Sequence, residues 1–133
     1  MKKYIAQIDI SIIEVVPQKA QVDILKNFLK KEEEIINYSI ENIESRMNFL
    51  SLKNILKNNR KVNGIIFFSL IQFCYNESNI LDINLLKNIL KNHSVIFFRE
   101  NLRIKNLGEL KKVEKNLKIF KHNNLNIINK FKY

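Results

Sequence analysis

Val62-Asn63-Gly64-Ile65-Ile66-Phe67-Phe68-Ser69-Leu70-Ile71 decides the fold class of this 133-residue chain. After Gly64 only Ser69 interrupts the apolar run. A stretch this apolar, with no alternation of polar residues, marks a strand covered on both faces, as in the centre of a parallel sheet. Val95–Phe98 is a second run of the same kind. Tyr4–Ile10 alternates imperfectly before Ile12 and Ile13 and reads as a first strand, and Ile35–Ser39 as a short one. Helical spacing fills the gaps. Pro17 suits the first turn of a helix, where its missing N–H costs nothing, and Val22, Leu25, Phe28 and Leu29 follow as its apolar stripe. Glu44–Asn58 reads as a second helix, with Met47, Leu50, Leu52, Ile55 and Leu56 inward. Ile80–Leu90 reads as a third, and Leu107, Leu110, Val113, Leu117 and Phe120 mark a fourth. Arg99–Asn106 reads as a polar connection.

The order β-α-β-α-β-α-β-α predicts a single-domain α/β fold, with a mainly parallel four-stranded sheet between helices on both faces, three layers in all. Residues 1–104 form the expected core. Residues 105–133 form an amphipathic basic helix and tail, packed or arm-like.

Composition narrows the function classes. One cysteine, Cys74, excludes a disulfide framework and a zinc ribbon and suggests a reducing compartment. With two glycines and one proline, neither a glycine-rich phosphate loop nor a dinucleotide fingerprint is present. His93 and His122 have no second ligand at metal-binding spacing, so neither metal nor cofactor is expected. The longest apolar stretch falls far short of the roughly 20 residues that span a bilayer. Met1-Lys2-Lys3 resembles a signal-peptide start, but Gln7 and Asp9 interrupt the apolar residues after it and no small-residue cleavage site appears. The expected location is the cytoplasm. The formal charge is +10, of which +3 lies in residues 1–100 and +7 in residues 101–133. Such a basic end can attract phosphate, nucleic acid or an anionic membrane, and it can equally be a solvated helix face that keeps the protein soluble.

Open parallel sheets hold ligands beyond the carboxyl ends of their strands. That rule selects Asp9, Ser11 and Glu14 after the first strand, Ser39, Glu41 and Glu44 after the second, Ser69, Gln72, Cys74 and Tyr75 after the third, and Arg99, Glu100 and Arg103 after the fourth. Lys111, Lys112, Lys115 and Lys118 are the candidate nucleic-acid contacts of the alternative reading.

Two resemblances rest on these residues. Tyr4, Gln18 or Gln21, Glu41 to Arg46, Gly64–Leu70 and Glu100 follow the layout of the serine recombinase (resolvase) catalytic domain, which implies that fold. The chemistry does not carry over. The first strand, Tyr4-Ile5-Ala6-Gln7-Ile8-Asp9, lacks the recombinase Arg and nucleophilic Ser, and no Arg lies between Arg60 and Arg99 to help hold a phosphate. Val16-Pro17 with Gln21, Glu41, Met47 to Leu50, Gly64-Ile65-Ile66-Phe67-Phe68-Ser69-Leu70-Ile71-Gln72 and Phe97-Phe98-Arg99-Glu100-Asn101-Leu102 resemble the sporadic carbohydrate cluster family more closely. These are small proteins found among surface-polysaccharide biosynthesis genes. The resemblance covers roughly residues 4–117 and departs at Phe73-Cys74, where the family has Leu-Pro, and at Ile8–Ser11, where it has Ser-Arg. It implies an accessory protein or small enzyme of surface-carbohydrate synthesis that binds a polar small molecule, a sugar phosphate or nucleotide sugar. The resemblance carries over Gln21, Glu41, Ser69, Gln72 and Glu100 as one polar cluster, with Glu41 and Glu100 the acid/base candidates of an enzyme and Gln21, Ser69 and Gln72 the candidate substrate-binding groups. The alternatives are an inactive resolvase-like module binding nucleic acid through its basic arm, and a homodimeric scaffold joined through the last helix.

Overall fold

Gly64 opens the central strand because nothing larger fits there. In the computed structural model, which describes residues 1–59 and 61–120, a Cβ at position 64 would lie 2.3 Å from Ser94 Oγ, 2.4 Å from the Ser94 carbonyl oxygen and 2.9 Å from the Tyr4 ring. The carbonyl is backbone, so only a shift of the neighbouring strand makes room. Gly64→Ala is expected to cost about 2–3 kcal/mol by overpacking. A lowered urea midpoint at unchanged slope is the readout, and an unchanged midpoint would contradict this account of the packing.

Strand β3 (Gly64–Phe67) pairs in parallel with β1 (Lys2–Ile8) on one side and β4 (Ser94–Phe97) on the other. β2 (Glu33–Ile40) lies outside β1, also parallel, and β5 (Leu102–Ile104) lies outside β4, antiparallel. The sheet order is β2-β1-β3-β4-β5. The α/β class and mainly parallel sheet are as expected, but there are five strands where the sequence reading counts four. The fifth comes from the stretch read as a polar connection. Asn101 turns the chain in a left-handed conformation (φ 49°), so that Leu102 pairs with Phe97 and Ile104 with Val95.

Other boundaries move as well: the first strand ends at Ile8 rather than Ile10 and the third helix begins at Ile83 rather than Ile80. The apolar run does not continue as strand to Ile71. β3 ends at Phe67 and Leu70–Phe73 form a 3-10 turn. Ser69 Oγ accepts from the Ile71 N–H and the Gln72 side-chain carbonyl accepts from the Ser69 N–H, each at 3.2 Å. This reciprocal cap satisfies backbone donors that a helical turn leaves open. The second helix starts six residues late. α2 spans Leu50–Asn58, behind Phe49, whose φ of 54° is costly for a bulky residue.

Alternation sorts the sheet residues onto two faces. Ile5, Ile65, Phe67, Val95 and Phe97 join the core built with α2, α3 (Ile83–Leu90) and α4 (Leu107–Leu117). Tyr4, Ala6, Ile66, Phe68 and Ile96 join Leu25 of α1 (Gln18–Phe28). Leu110 and Leu117 are buried in the first core. The described part of the basic segment is therefore packed, and its apolar stripe faces the chain's own interior. The tail with Ile127, Ile128, Phe131 and Tyr133, and the lysines from Lys121 onward, lie outside the described residues. Among the described residues no helix is long and apolar enough to cross a membrane.

An ion pair joins the two edge strands. Arg103 on β5 donates from Nη1 to Glu33 Oε2 at 2.8 Å and from Nη2 to Oε1 at 3.0 Å. The Tyr4 hydroxyl and the Lys30 N–H also donate to this carboxylate. Burial works against the Glu33 charge, but the guanidinium and the other donors outweigh it and hold the carboxyl down at about 2, against an ordinary 4.5. A depressed folded-state pKa contributes stability that is present above 4.5 and is lost as pH falls toward 2. Arg103→Gln is expected to flatten the acid dependence in that window and to cost about 1–3 kcal/mol at neutral pH. Chemical denaturation from pH 2 to 7 measures both, and equal pH slopes in the two proteins would contradict the assignment.

Candidate functional site

Seven polar side chains are buried among the described residues: Gln7, Asp9, Gln21, Ser39, Glu41, Ser69 and Gln72. All lie at or just past the carboxyl ends of β1, β2 and β3, or, for Gln21, on α1 against the end of β1. Buried polar groups are costly unless bonded, so their concentration at one end of the sheet marks it. The order β2-β1-β3 also reverses the winding between β1 and β3, the switch point where such sheets open a crevice.

Glu41 anchors this region. Its Oε1 accepts from the Ser51 N–H (2.7 Å) and Ser45 Oγ (3.1 Å). Its Oε2 accepts from the Leu52 N–H (3.0 Å), Gln7 Nε2 (3.1 Å) and Ser39 Oγ (3.3 Å). A carboxylate offers about four acceptor positions, and five donors occupy this one. The residue expected to work as an acid or base has no lone pair left for a substrate. Instead it caps α2 and fixes Gln7. It also secures the first turn behind the left-handed Phe49, whose ring packs on Phe67 and Phe73.

Gln7 lies between Ser39 of β2 and Phe67 of β3. With its Nε2 turned to Glu41, its carbonyl Oε1 is left buried without a hydrogen-bond partner in the protein. It lines a cavity of about 10 Å³ together with Asp9, Glu41, Arg46, Phe49, Gln72 and Tyr75. That volume admits one water-sized group. Above it opens a cleft of about 680 Å³ lined by Ile10, Ser11, Glu41, Asn42, Ile43, Glu44 and Arg46. The cavity and the cleft share Ile10, Glu41 and Arg46 as walls.

The end of β1 is held rigidly. Gln21 accepts from the Asp9 N–H at 2.8 Å and donates to the Asp9 and Val16 carbonyls at 2.9 and 3.0 Å. Expected to bind substrate, its amide is spent on this clip. Asp9 Oδ1 accepts from the Ser11 N–H and Oγ (2.9 and 2.7 Å) and from the Tyr75 hydroxyl, which also lies 2.5 Å from Ser11 Oγ. Burial, and then the Asp9 charge, push the Tyr75 pKa well above its usual range, so Tyr75 keeps its proton. The Arg46 guanidinium covers the Tyr75 ring at 4.8 Å and borders the cleft.

Ser69 and Glu100 form a second group past β3 and β4. Ser69 Oγ donates to Glu100 Oε2 at 2.8 Å, and the Leu70 N–H donates to Oε1 at 3.1 Å. Burial raises the Glu100 pKa, opposed by these bonds and by Arg99, whose Nη1 is 3.7 Å away. Neither Ser69 nor Glu100 lines the cleft. Gln72 is the link between the groups, since its Nε2 donates to the backbone carbonyl of Gln7 at 3.3 Å while it caps the Ser69 turn. Cys74 is fully buried and its thiol is pushed up to about 12, first by burial and then by Glu100, which makes it a poor nucleophile. Lys111, Lys112 and Lys115 on α4 and Lys118 at its C-cap are exposed, while Leu110 and Leu117 face the core. Among the described residues no three His, Cys, Asp or Glu side chains converge to hold a metal ion.

The structure thus brings Glu41 and Gln72 to the cavity, sets Ser69 with Glu100 beside it, and leaves Gln21 as a structural clip. The sequence reading does not select Gln7 or the roles of Arg46 and Phe49. A single amide inside the apolar run Tyr4-Ile5-Ala6-Gln7-Ile8 is the available signal for Gln7. No protein-family model, curated protein or solved structure matches the chain.

Proposed function

We propose that this protein binds a phosphorylated sugar or nucleotide sugar in the cleft above β1 and β2, as an accessory protein or small enzyme of surface-carbohydrate synthesis. The observation that carries the reading is the buried, unpartnered side-chain carbonyl of Gln7 beneath an open cleft at the sheet's switch point. A sugar hydroxyl is a donor of the size that the cavity below the cleft takes. Ser11, Asn42 and Glu44 offer hydroxyl, amide and carboxylate partners on the walls, Ile10 and Ile43 offer apolar contact, and Arg46 offers a forked cation for phosphate. Glu41 acts through Gln7 as a positioning residue. The carbohydrate context comes from the resemblance in sequence.

A thermal-shift screen of nucleotide sugars and sugar phosphates tests this. Ligand at a hundredfold excess over Kd contributes about 2.7 kcal/mol, which corresponds to a rise of roughly 5–10 °C in Tm. The shift is expected to saturate with one compound class and to vanish in Arg46→Ala and Gln7→Leu, provided each variant melts cooperatively. A shift that survives both substitutions would overturn the assignment.

The lysine row on α4 favours the second reading, an inactive resolvase-like module on nucleic acid. Four phosphate contacts give an affinity for duplex DNA that falls with a log–log salt slope of about −3 to −4. Binding of that slope, lost in Lys111→Ala/Lys112→Ala/Lys115→Ala, would transfer the function to this face.

A further inference from the structure

We propose that a second site, at the amino ends of the strands, binds a small anion carrying a diphosphate group. The cavity there measures about 480 Å³, within the range of small-molecule sites. It lies at the end of the sheet opposite the carboxyl-end cleft, and the switch-point rule does not provide it.

Four separate stretches of the chain bring lysines to this one cavity. Lys2 stands at the start of β1, Lys30 after α1, Lys91 after α3 and Lys105 before α4. All four are exposed at its rim. The acids opposing them are few and largely engaged. Both oxygens of Glu33 are taken by Arg103, Tyr4 and the Lys30 N–H, so this pair neutralises itself in the floor. Glu32 is the other carboxylate in the lining. The residual charge is +3, matched to the roughly threefold negative charge of a diphosphate near neutral pH. The cleft at the other end holds one cation, Arg46, beside Glu41 and Glu44, so the two cavities differ in charge and the amino end is the more cationic.

The cavity also has a recognition group. His93 sits half-buried in the lining, and its ring makes no hydrogen bond to any described residue. Burial lowers its pKa and keeps the ring neutral, with one N–H to give to a phosphate oxygen. In the sequence His93 reads only as the residue entering β4.

Calorimetric titration of the full chain with inorganic pyrophosphate at about 150 mM salt, alongside a nucleoside diphosphate, tests the site. One saturable site is expected, with affinity at least tenfold lower in Lys91→Ala/Lys105→Ala and unchanged in the α4 variant Lys111→Ala/Lys112→Ala/Lys115→Ala. The His93 ring resonances, assigned with His93→Gln, are expected to move during the titration. Equal affinities assign the site to the bare anion, and tighter nucleoside diphosphate binding assigns it to a nucleotide. Absence of saturation, full affinity in Lys91→Ala/Lys105→Ala, or equal loss in the α4 variant would overturn the proposal. Loss in Arg46→Ala with retention in Lys91→Ala/Lys105→Ala would place the anion in the carboxyl-end cleft instead. Exposed lysines tolerate substitution, and unchanged melting of the double variant confirms that the loss is one of binding.

Discussion

Glu41→Ala is expected to destabilise the fold by about 3–5 kcal/mol, a large share of the roughly 5–15 kcal/mol that holds a domain of this kind together. The substitution strands two backbone N–H groups at the start of α2, the Gln7 amide and two serine hydroxyls. Each buried donor left without an acceptor costs about 1–3 kcal/mol, reduced where water enters. Glu41→Gln keeps one acceptor oxygen but turns an NH₂ toward groups that also donate, so about half the loss should remain. Urea denaturation of the unliganded protein measures both. A residue held for chemistry would behave differently, with Glu41→Gln leaving stability near the parent value.

Phe67→Ala should cost a similar amount, about 3–5 kcal/mol, by a different mechanism. Phe67 is the fully buried end of β3, and its ring lies 4.8–5.5 Å from those of Phe49, Phe73 and Phe97. These neighbours come from the turn before α2, the capped 3-10 turn and β4, so no single element can relax into the space. Phe67→Leu retains most of the volume and should cost about 1–2 kcal/mol. Because Phe49 carries the positive φ beside the ligand cavity, Phe67→Ala should also weaken ligand binding. A loss below about 1 kcal/mol for Phe67→Ala would contradict the central place given to this cluster.

The same residues explain what the sequence discloses. The apolar runs around Phe67 and Phe97, and the leucine spacing of α3 and α4, identify the class, because burial on a sheet face or helix stripe writes a period into the chain. The boundaries follow local polar chemistry hidden within those runs. Ser69-Leu70-Ile71-Gln72 is a capping-box pattern inside an apolar stretch, where hydrophobicity alone reads onward as strand. Leu102 and Ile104 alternate over only three residues and pair only because Asn101 turns the chain back. Glu41, Ser69, Gln72 and Glu100 are legible as site candidates because the sheet rule points to strand ends. Their roles are not, since a saturated carboxylate and an available one look alike in sequence. Gln7 is the reverse case. Its position is unremarkable, and its importance lies in one oxygen that the neighbouring hydrogen bonds leave over.

The measurement that bears most directly on the ligand cleft is an amide NMR titration of the full chain with the best compound from the thermal-shift screen. Saturable shifts are predicted, centred on Ser11, Asn42, Glu44 and Arg46 together with the Gln7 side-chain amide, and lost in Arg46→Ala. Shifts confined to α4 or to the lysine-lined cavity at the amino ends, with Ser11 and Gln7 unmoved at saturation, would contradict the assignment of the ligand to this cleft.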